Sequence, residues 1–302
     1  MRIMFLVSFL CTIETCYGSP LARSQKEGFV TVALDGQLGN QMFQIATAYA
    51  YALDHNLAIT IPDFKRNGNY RIPYNAERLF LSKIAGDPLP AEPTVQWHEP
   101  SYQYTPIPDG TRIQLRGYFQ SEKYFVHHRK EILDLFSPPP GLNERILSKH
   151  PYLVSDRLIV GVQIRDYRSD VPNGECHPTY GRNYYSQAVS YFPTDALFLV
   201  TSNNVDLAKE SMEGLAPNII YVAGEDYIED FYTLTLCKSF IISNSSFGWW
   251  ASWLCQYPEK KVIVPQPWFV LPLNNELMRK DLVPEEYVQI ENLQPLVLQT
   301  RY

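Results

Sequence analysis

The sequence predicts an α/β protein of two lobes, each a parallel sheet covered by helices, with the sheets facing a central cleft. Two observations predict it. Short apolar, β-branched runs alternate with helical stretches through most of the chain, the pattern of parallel strands joined by crossover helices. A proline-rich break, Ser137-Pro138-Pro139-Pro140-Gly141, splits that alternation in two. The division is expected near residues 137–157, giving an N-terminal lobe over 28–150 and a C-terminal lobe over 151–302. A ligand cleft is expected where the strand C-termini of the lobes face each other.

In chain order, residues 29–34 form an apolar strand and 35–39 a glycine-bearing turn. Asn40 is placed to cap a helix running to about residue 55, and 57–61 add a strand. That strand–turn–helix–strand unit implies parallel pairing. Residues 62–110 are rich in Pro, Asn and Tyr and give no clean period. Residues 112–116 resume as a strand, and Ser121 is placed to cap a helix running to about residue 136. The second half predicts strands at 158–164, 196–201, 219–222, 240–243 and 262–264. Between them fall helices near 182–191, 205–212, 227–238 and 246–254.

With 45% hydrophobic and 19% charged residues among 302, the chain can bury substantial cores and is not of disordered composition. A net charge of -6 gives no general attraction for nucleic acid, so any phosphate must be gripped locally. Cys11 and Cys16 fall in the N-terminal leader; Cys176, Cys237 and Cys255 are too widely spaced for a disulfide framework or a CxxC metal site. Cys237 and Cys255 lie in apolar stretches, as core residues do. The six His are scattered, and no metal site is expected. Residues 1–27 begin with Arg2 and an apolar run over 3–13, followed by Tyr17-Gly18-Ser19. That resembles a short secretory signal, and a cytosolic extension accounts for it equally. The location therefore stays open between a secretory lumen or membrane and the cytoplasm, with any membrane association through the N-terminus only.

Three motifs could carry chemistry. Gly36-Gln37-Leu38-Gly39-Asn40-Gln41 follows a strand and opens a helix; its glycines let backbone N–H groups approach an anion, although its spacing is not the dinucleotide GxGxxG. Gly161-Val162-Gln163-Ile164-Arg165-Asp166-Tyr167 puts a guanidinium at a strand's C-terminal end, where its planar fork suits a phosphate. A surface Arg–Asp pair is the plain alternative. The densest stretch, Glu229 to Trp250, feeds a helix into a strand and then through Asn244-Ser245-Ser246 into a second helix. Its hydroxyls and free N–H groups could hold a pyrophosphate without net charge. Trp249 and Trp250 are assigned to the core.

Together these residues resemble the α-1,2-fucosyltransferases. The resemblance rests on Gly36–Gln41 with Met42-Phe43-Gln44, on the block from Gly117 to Phe125, on the Asp230–Trp250 stretch, and on Phe198-Leu199-Val200-Thr201-Ser202-Asn203. It spans roughly residues 28 to 270. It implies a GT-B-like fold of two Rossmann-like lobes, with acceptor on the N-terminal side and GDP-β-L-fucose on the C-terminal side. It further implies inverting transfer to a galactoside without a metal or other cofactor, so that the partners are a nucleotide sugar and a glycan acceptor. Carried over residue by residue, the donor-binding set is Gly36, Gly39, Asn40, Arg165, Ser202, Asn203, Asp230, Asn244, Ser245, Ser246 and Phe247. Arg165, Asp166 and Asn40 are the catalytic candidates, with Asp166 the nearest general base. The family's His-x-Arg-Arg-Gly-Asp-Tyr pattern appears here as Gln163-Ile164-Arg165-Asp166-Tyr167, with Gln for His and two residues fewer, one of them an Arg, unless Arg168 and Ser169 shift the alignment. That departure keeps open a catalytically silent sugar-nucleotide or glycan-binding protein, and a transferase with another donor or acceptor.

Overall fold

A computed structural model describes residues 28–65, 75–80, 82–168, 176–222, 226–270, 280–291 and 293–296. The leader over 1–27 lies outside them. Within the described residues no helix is long and apolar enough to cross a membrane.

The first half forms a four-stranded sheet in the order β2-β1-β4-β3, from β1 (Phe29–Val32), β2 (Ala58–Ile59), β3 (Val95–His98) and β4 (Arg112–Arg116). All its pairings are parallel, with Phe29 beside both Ala58 and Arg112. The crossover between β1 and β2 is α1 (Leu38–Asp54), as the βαβ reading requires. The chain turns at Gly36 (φ 71°), a conformation open to glycine, so the helix starts at Leu38 with Gln37 as its N-cap. Asn40 is therefore a residue of the first turn rather than the predicted cap. The strand β3 escaped prediction because Val95 and Trp97 are only partly buried and alternate with exposed neighbours.

The helix expected from Ser121 to about residue 136 is broken. Ser121 does cap, accepting from Lys123 N at 3.3 Å, but only a 3-10 turn over Glu122–Tyr124. Phe125 (φ -146°, ψ -2°) leaves helical geometry, its ring fully buried against Trp250 at 5.2 Å. Packing of that ring outweighs local propensity, and α2 begins only at Arg129 (Arg129–Leu135). The proline-rich break is followed at once by α3 (Leu142–Lys149), which the sequence reading omitted.

The second half forms a six-stranded parallel sheet, β10-β9-β8-β5-β6-β7. Its strands are β5 (Ile159–Ile164), β6 (Leu197–Ser202), β7 (Ile219–Tyr221), β8 (Ser239–Ile242), β9 (Val262–Pro265) and β10 (Val288–Ile290). Strands β5, β8 and β9 are buried along their whole length, as sheets covered on both faces require. The helices are α4 (Arg182–Val189), α5 (Val205–Met212), α6 (Tyr227–Thr235) and α7 (Ser246–Leu254).

An aromatic junction ties the two sheets. Phe43 of α1 meets Trp249 at 4.4 Å and Trp250 at 5.0 Å, while Phe136 meets Trp250 edge-on at 5.1 Å. Trp249, Trp250 and Trp253 are each at most 1% exposed, so the tandem tryptophans are core anchors. Cys237 and Cys255 are buried free thiols, and burial pushes both away from the reactive thiolate.

Candidate active site

Because α1 and α7 pack against each other through that junction, their N-termini come together at the C-terminal ends of β1 and β8. Neither start carries a side-chain cap. The contact is tight: a Cβ on Gly39 would lie 2.5 Å from Ser246 Oγ and 2.6 Å from the Ser246 carbonyl carbon. Only glycine lets the two backbones approach this closely. Across the contact, Asn40 Oδ1 accepts from Ser246 Oγ at 3.0 Å and from Gln120 Nε2 at 2.9 Å. A helix start without a side-chain cap favours an anion, and here two such starts lie side by side.

The second lobe fixes its half firmly. Gln163, 5% exposed, accepts from Ser243 Oγ at 2.7 Å, and a Cβ on Gly248 would come within 2.9 Å of the same carboxamide oxygen. Gln163 thus supports the start of α7 from below. Tyr167 donates its hydroxyl to the Asn244 carbonyl at 3.1 Å, and its ring lies 5.1 Å beneath the Arg165 guanidinium. Arg165 is partly exposed and connects through Tyr167 to the loop that opens α7.

Several residues of the expected donor-binding set brace the loops around this point. Asn203 accepts from Asp166 N at 2.8 Å and donates to the Asp166 carbonyl at 2.9 Å, which braces the loop after β5. Ser202 Oγ accepts from Asn204 N and donates to the Asn204 carbonyl, both at 2.9 Å. Asn244, 1% exposed, donates to the Trp268 carbonyl at 2.9 Å, and Ser245 is 6% exposed. Ser246 and Phe247 are partly exposed. Asp230 lies in the first turn of α6, next to Phe231, which packs edge-on to Phe247 at 5.2 Å.

Asp166, the general-base candidate, sits in an ion pair with Arg168. Its 4%-exposed carboxylate is gripped by Arg168 through Nε at 2.9 Å and Nη2 at 2.8 Å, and by Asn204 Nδ2 at 2.8 Å. The hydrogen bond from Arg168 leads the causes that hold its pKa at about 2. So weak a base, with its oxygens occupied, is poorly suited to take a proton near neutrality. Arg168, the second guanidinium of the region, is spent on this pair.

The first lobe contributes residues that sequence reasoning did not assign. Asp35, exposed at the turn after β1, accepts from Tyr118 Oη at 3.0 Å and from Gly36 N at 2.7 Å. Gln44 ties the turns together, accepting from Asp35 N and donating to the Gly117 carbonyl, each at 3.0 Å. Glu99, just past β3, accepts from Tyr118 N at 2.9 Å and Phe119 N at 2.8 Å. Burial raises its pKa to about 7 against those two bonds. The Gly117–Phe125 block was visible in the sequence as a motif. What was not visible is that Gly117 (φ 154°) and Phe119 (φ 52°) turn Tyr118 and Gln120 back onto the Asp35–Asn40 loop. Rings then cross from one lobe to the other: Tyr118 stacks on Tyr102 at 5.8 Å, Tyr102 meets Phe269 at 5.2 Å, and Phe269 meets His177 at 5.0 Å.

Known proteins agree with this architecture. NodZ alpha-1,6-fucosyltransferase co-crystallized with GDP has the same fold at a TM-score of 0.50 and 16% identity, over 75% of this chain and 92% of that one. The sequence pattern of glycosyl transferase family 11 matches residues 6–268, so the chain belongs to that family. Among its relatives, an Escherichia coli alpha-1,2-colitosyltransferase is 28% identical over 87% of this chain and 99% of its own length. The galactoside alpha-(1,2)-fucosyltransferase 2 of Oryctolagus cuniculus is 28% identical over 76% of this chain and 68% of its own.

Proposed function

We propose that the chain is an inverting glycosyltransferase that moves L-fucose from GDP-β-L-fucose onto a galactoside hydroxyl in α-1,2 linkage. The observation that supports this most is the meeting of two uncapped helix starts, one from each lobe, beside Arg165. In this reading Arg165 and the first N–H groups of α7 stabilise charge growing on the departing diphosphate, without a metal, while Ser246 Oγ stays bonded to Asn40 at the edge of that seat. Gly36 turns the start of α1 toward the donor, Gly39 lets that start close against Ser246 beside it, and Asn40 stands near the reacting carbon. Phe247 and Asp230 face the nucleoside; Ser202, Asn203, Asn244 and Ser245 hold that surface in place. Asp35 takes the acceptor proton, because it is an exposed carboxylate at the mouth of the turn, oriented by Tyr118. The proton leaves the acceptor hydroxyl for an Asp35 oxygen as that hydroxyl bonds to the sugar and the bond to the diphosphate breaks.

Incubating the purified chain with GDP-fucose and a panel of galactosides, with products identified by mass and linkage, tests the reading. An α-1,2-fucosylated product that forms equally well with a chelator present is expected; binding of GDP without transfer or donor hydrolysis would mark a silent binding protein. A second donor has a specific observation behind it, since the colitosyltransferase aligns along 99% of its length. The same incubation with GDP-colitose separates the two.

A further inference from the structure

Two of the six histidines, His127 and His128, are consecutive in the sequence, and folding brings both to one carboxylate at the C-terminal end of α1. Asp54 is the last residue of that helix, whose last turn holds no basic side chain. A carboxylate there faces the negative end of the helix dipole and gains from a cation beside it. His127 and His128, in the 3-10 turn Val126–His128, supply their rings. His127 Nε2 lies 3.0 Å from Asp54 Oδ2, and His128 Nε2 lies 2.7 Å from Asp54 Oδ1. The ligand atoms of all three residues fall within 4.8 Å of one another. Zinc bonds of about 2.0–2.1 Å in a tetrahedron set donor atoms roughly 3.3 Å apart, so small side-chain rotations would suffice.

We propose that Asp54, His127 and His128 form a binding site for a divalent transition metal, Zn2+ by the chemistry of its donors. Two imidazoles and one carboxylate suit zinc better than Mg2+ or Ca2+, which prefer oxygen. Each ring binds through the Nε2 lone pair, so a neutral ring carries its proton on Nδ1. On His128 that nitrogen faces Glu131 Oε2, 4.0 Å away, an outer carboxylate of the kind that orients metal-bound histidines. Side-chain exposures of 41% for Asp54, 47% for His127 and 23% for His128 leave room for water as the remaining ligand.

The site's position gives it a structural role. The 17 residues of α1 put it about 25 Å from the helix start. The next residue after His128 is Arg129, whose guanidinium donates to the Trp253 carbonyl at 2.8 Å and lies 4.1 Å over the Trp253 ring. Zinc therefore clips the end of α1 to the segment that reaches across to α7, and acts on stability rather than on sugar transfer.

The test is calorimetric titration of the chelator-stripped full chain with zinc sulfate, with cobalt(II) absorbance reporting tetrahedral ligation. Saturable binding of one ion per chain and a raised thermal midpoint are expected. His127→Ala combined with His128→Ala should abolish both, Glu131→Gln should weaken binding about tenfold, and His150→Ala should change nothing. Circular dichroism checks the fold of these surface variants. On the unaltered chain, Zn2+ should protect His127 and His128, but not His150, from diethylpyrocarbonate. Absence of saturable binding, wild-type affinity in the double variant, or equal modification of all three histidines would overturn the site.

Discussion

The two helix starts that meet between the sheets are built on different plans. The start of α7 is wired from beneath: Gln163 holds Ser243, Tyr167 holds the Asn244 carbonyl, and Asn244 holds Trp268. The start of α1 is held instead by its own helix, buried Gln44 accepting from Asp35 N and buried Gln41 donating to the Gly36 carbonyl. Glycine turns it, and side chains clip it from outside, through Tyr118 to Asp35, Gln120 to Asn40 and Ser246 to Asn40. Under the proposed function the difference separates two tasks, a fixed anion seat on the second lobe and a closing edge on the first. A substitution on the seat should therefore remove charge stabilisation while sparing the fold. One on the edge should disturb how the lobes meet.

Arg165→Ala gives the largest expected effect on turnover. Loss of a donor aimed at developing charge costs roughly 100- to 1,000-fold in kcat, with circular dichroism unchanged. Turnover at the wild-type level would remove Arg165 from the seat. Gly39→Ala attacks the edge. Its methyl would meet the Ser246 backbone at 2.6 Å, and a displacement near 1 Å costs about 100-fold in rate. Here thermal stability should fall along with activity, which distinguishes edge from seat. Asp35→Asn tests the proton acceptor on that edge: kcat should fall by about 100-fold or more while GDP affinity measured by calorimetry stays constant. Asn40→Ala and Ser246→Ala share one hydrogen bond, so their combined loss in kcat/KM should depart from additivity by about 0.5 kcal/mol or more. Additive losses would mean that the lobes do not communicate through this bond.

The regular second half was the more legible in sequence. Helices α5 and α7 fall at their expected bounds and the predicted strands within a residue or so, because short apolar runs fully buried on both faces declare themselves. In the first half, β3 alternates weakly and Phe125 breaks a helix for the sake of a tertiary contact, and neither leaves a local signal. Similar reasoning applies to the site. The Gly36–Asn40 turn and the serines before α7 were identifiable from their position after strands. That Asp166 would be consumed by Arg168 depended on a backbone turn bringing residues two apart into a bidentate pair. Asp35 and Glu99 needed Gly117 and Phe119 at positive φ before they acquired partners.

Asp166 and Glu99, one carboxylate per lobe, give the smallest predicted effect and the most direct contrast. Asp166 titrates in the folded chain at about 2 against an ordinary 3.8, chiefly because Arg168 binds its ionised form. Its contribution is fully present above pH 3.8 and is lost as pH falls toward 2. Glu99 is shifted the other way, to about 7 from 4.5, because burial opposes its charge. Between those values the folded state holds a proton that the unfolded chain has released, so stability declines as pH rises from 4.5 to 7. Urea midpoints followed across pH should therefore show two sloping limbs with separate causes. Asp166→Asn should lessen the slope of the acid limb, to which the paired carboxylates of Asp54, Asp226 and Glu229 also contribute, and Glu99→Gln, whose amide oxygen can still accept from Tyr118 N and Phe119 N, should lessen that of the upper limb, to which buried Glu122 adds. If Glu99→Gln leaves the upper slope intact, the Tyr118–Phe119 turn does not carry a protonated acid at low pH. The closing edge would then be held by a carboxylate charged throughout, as the seat's loop is by Asp166.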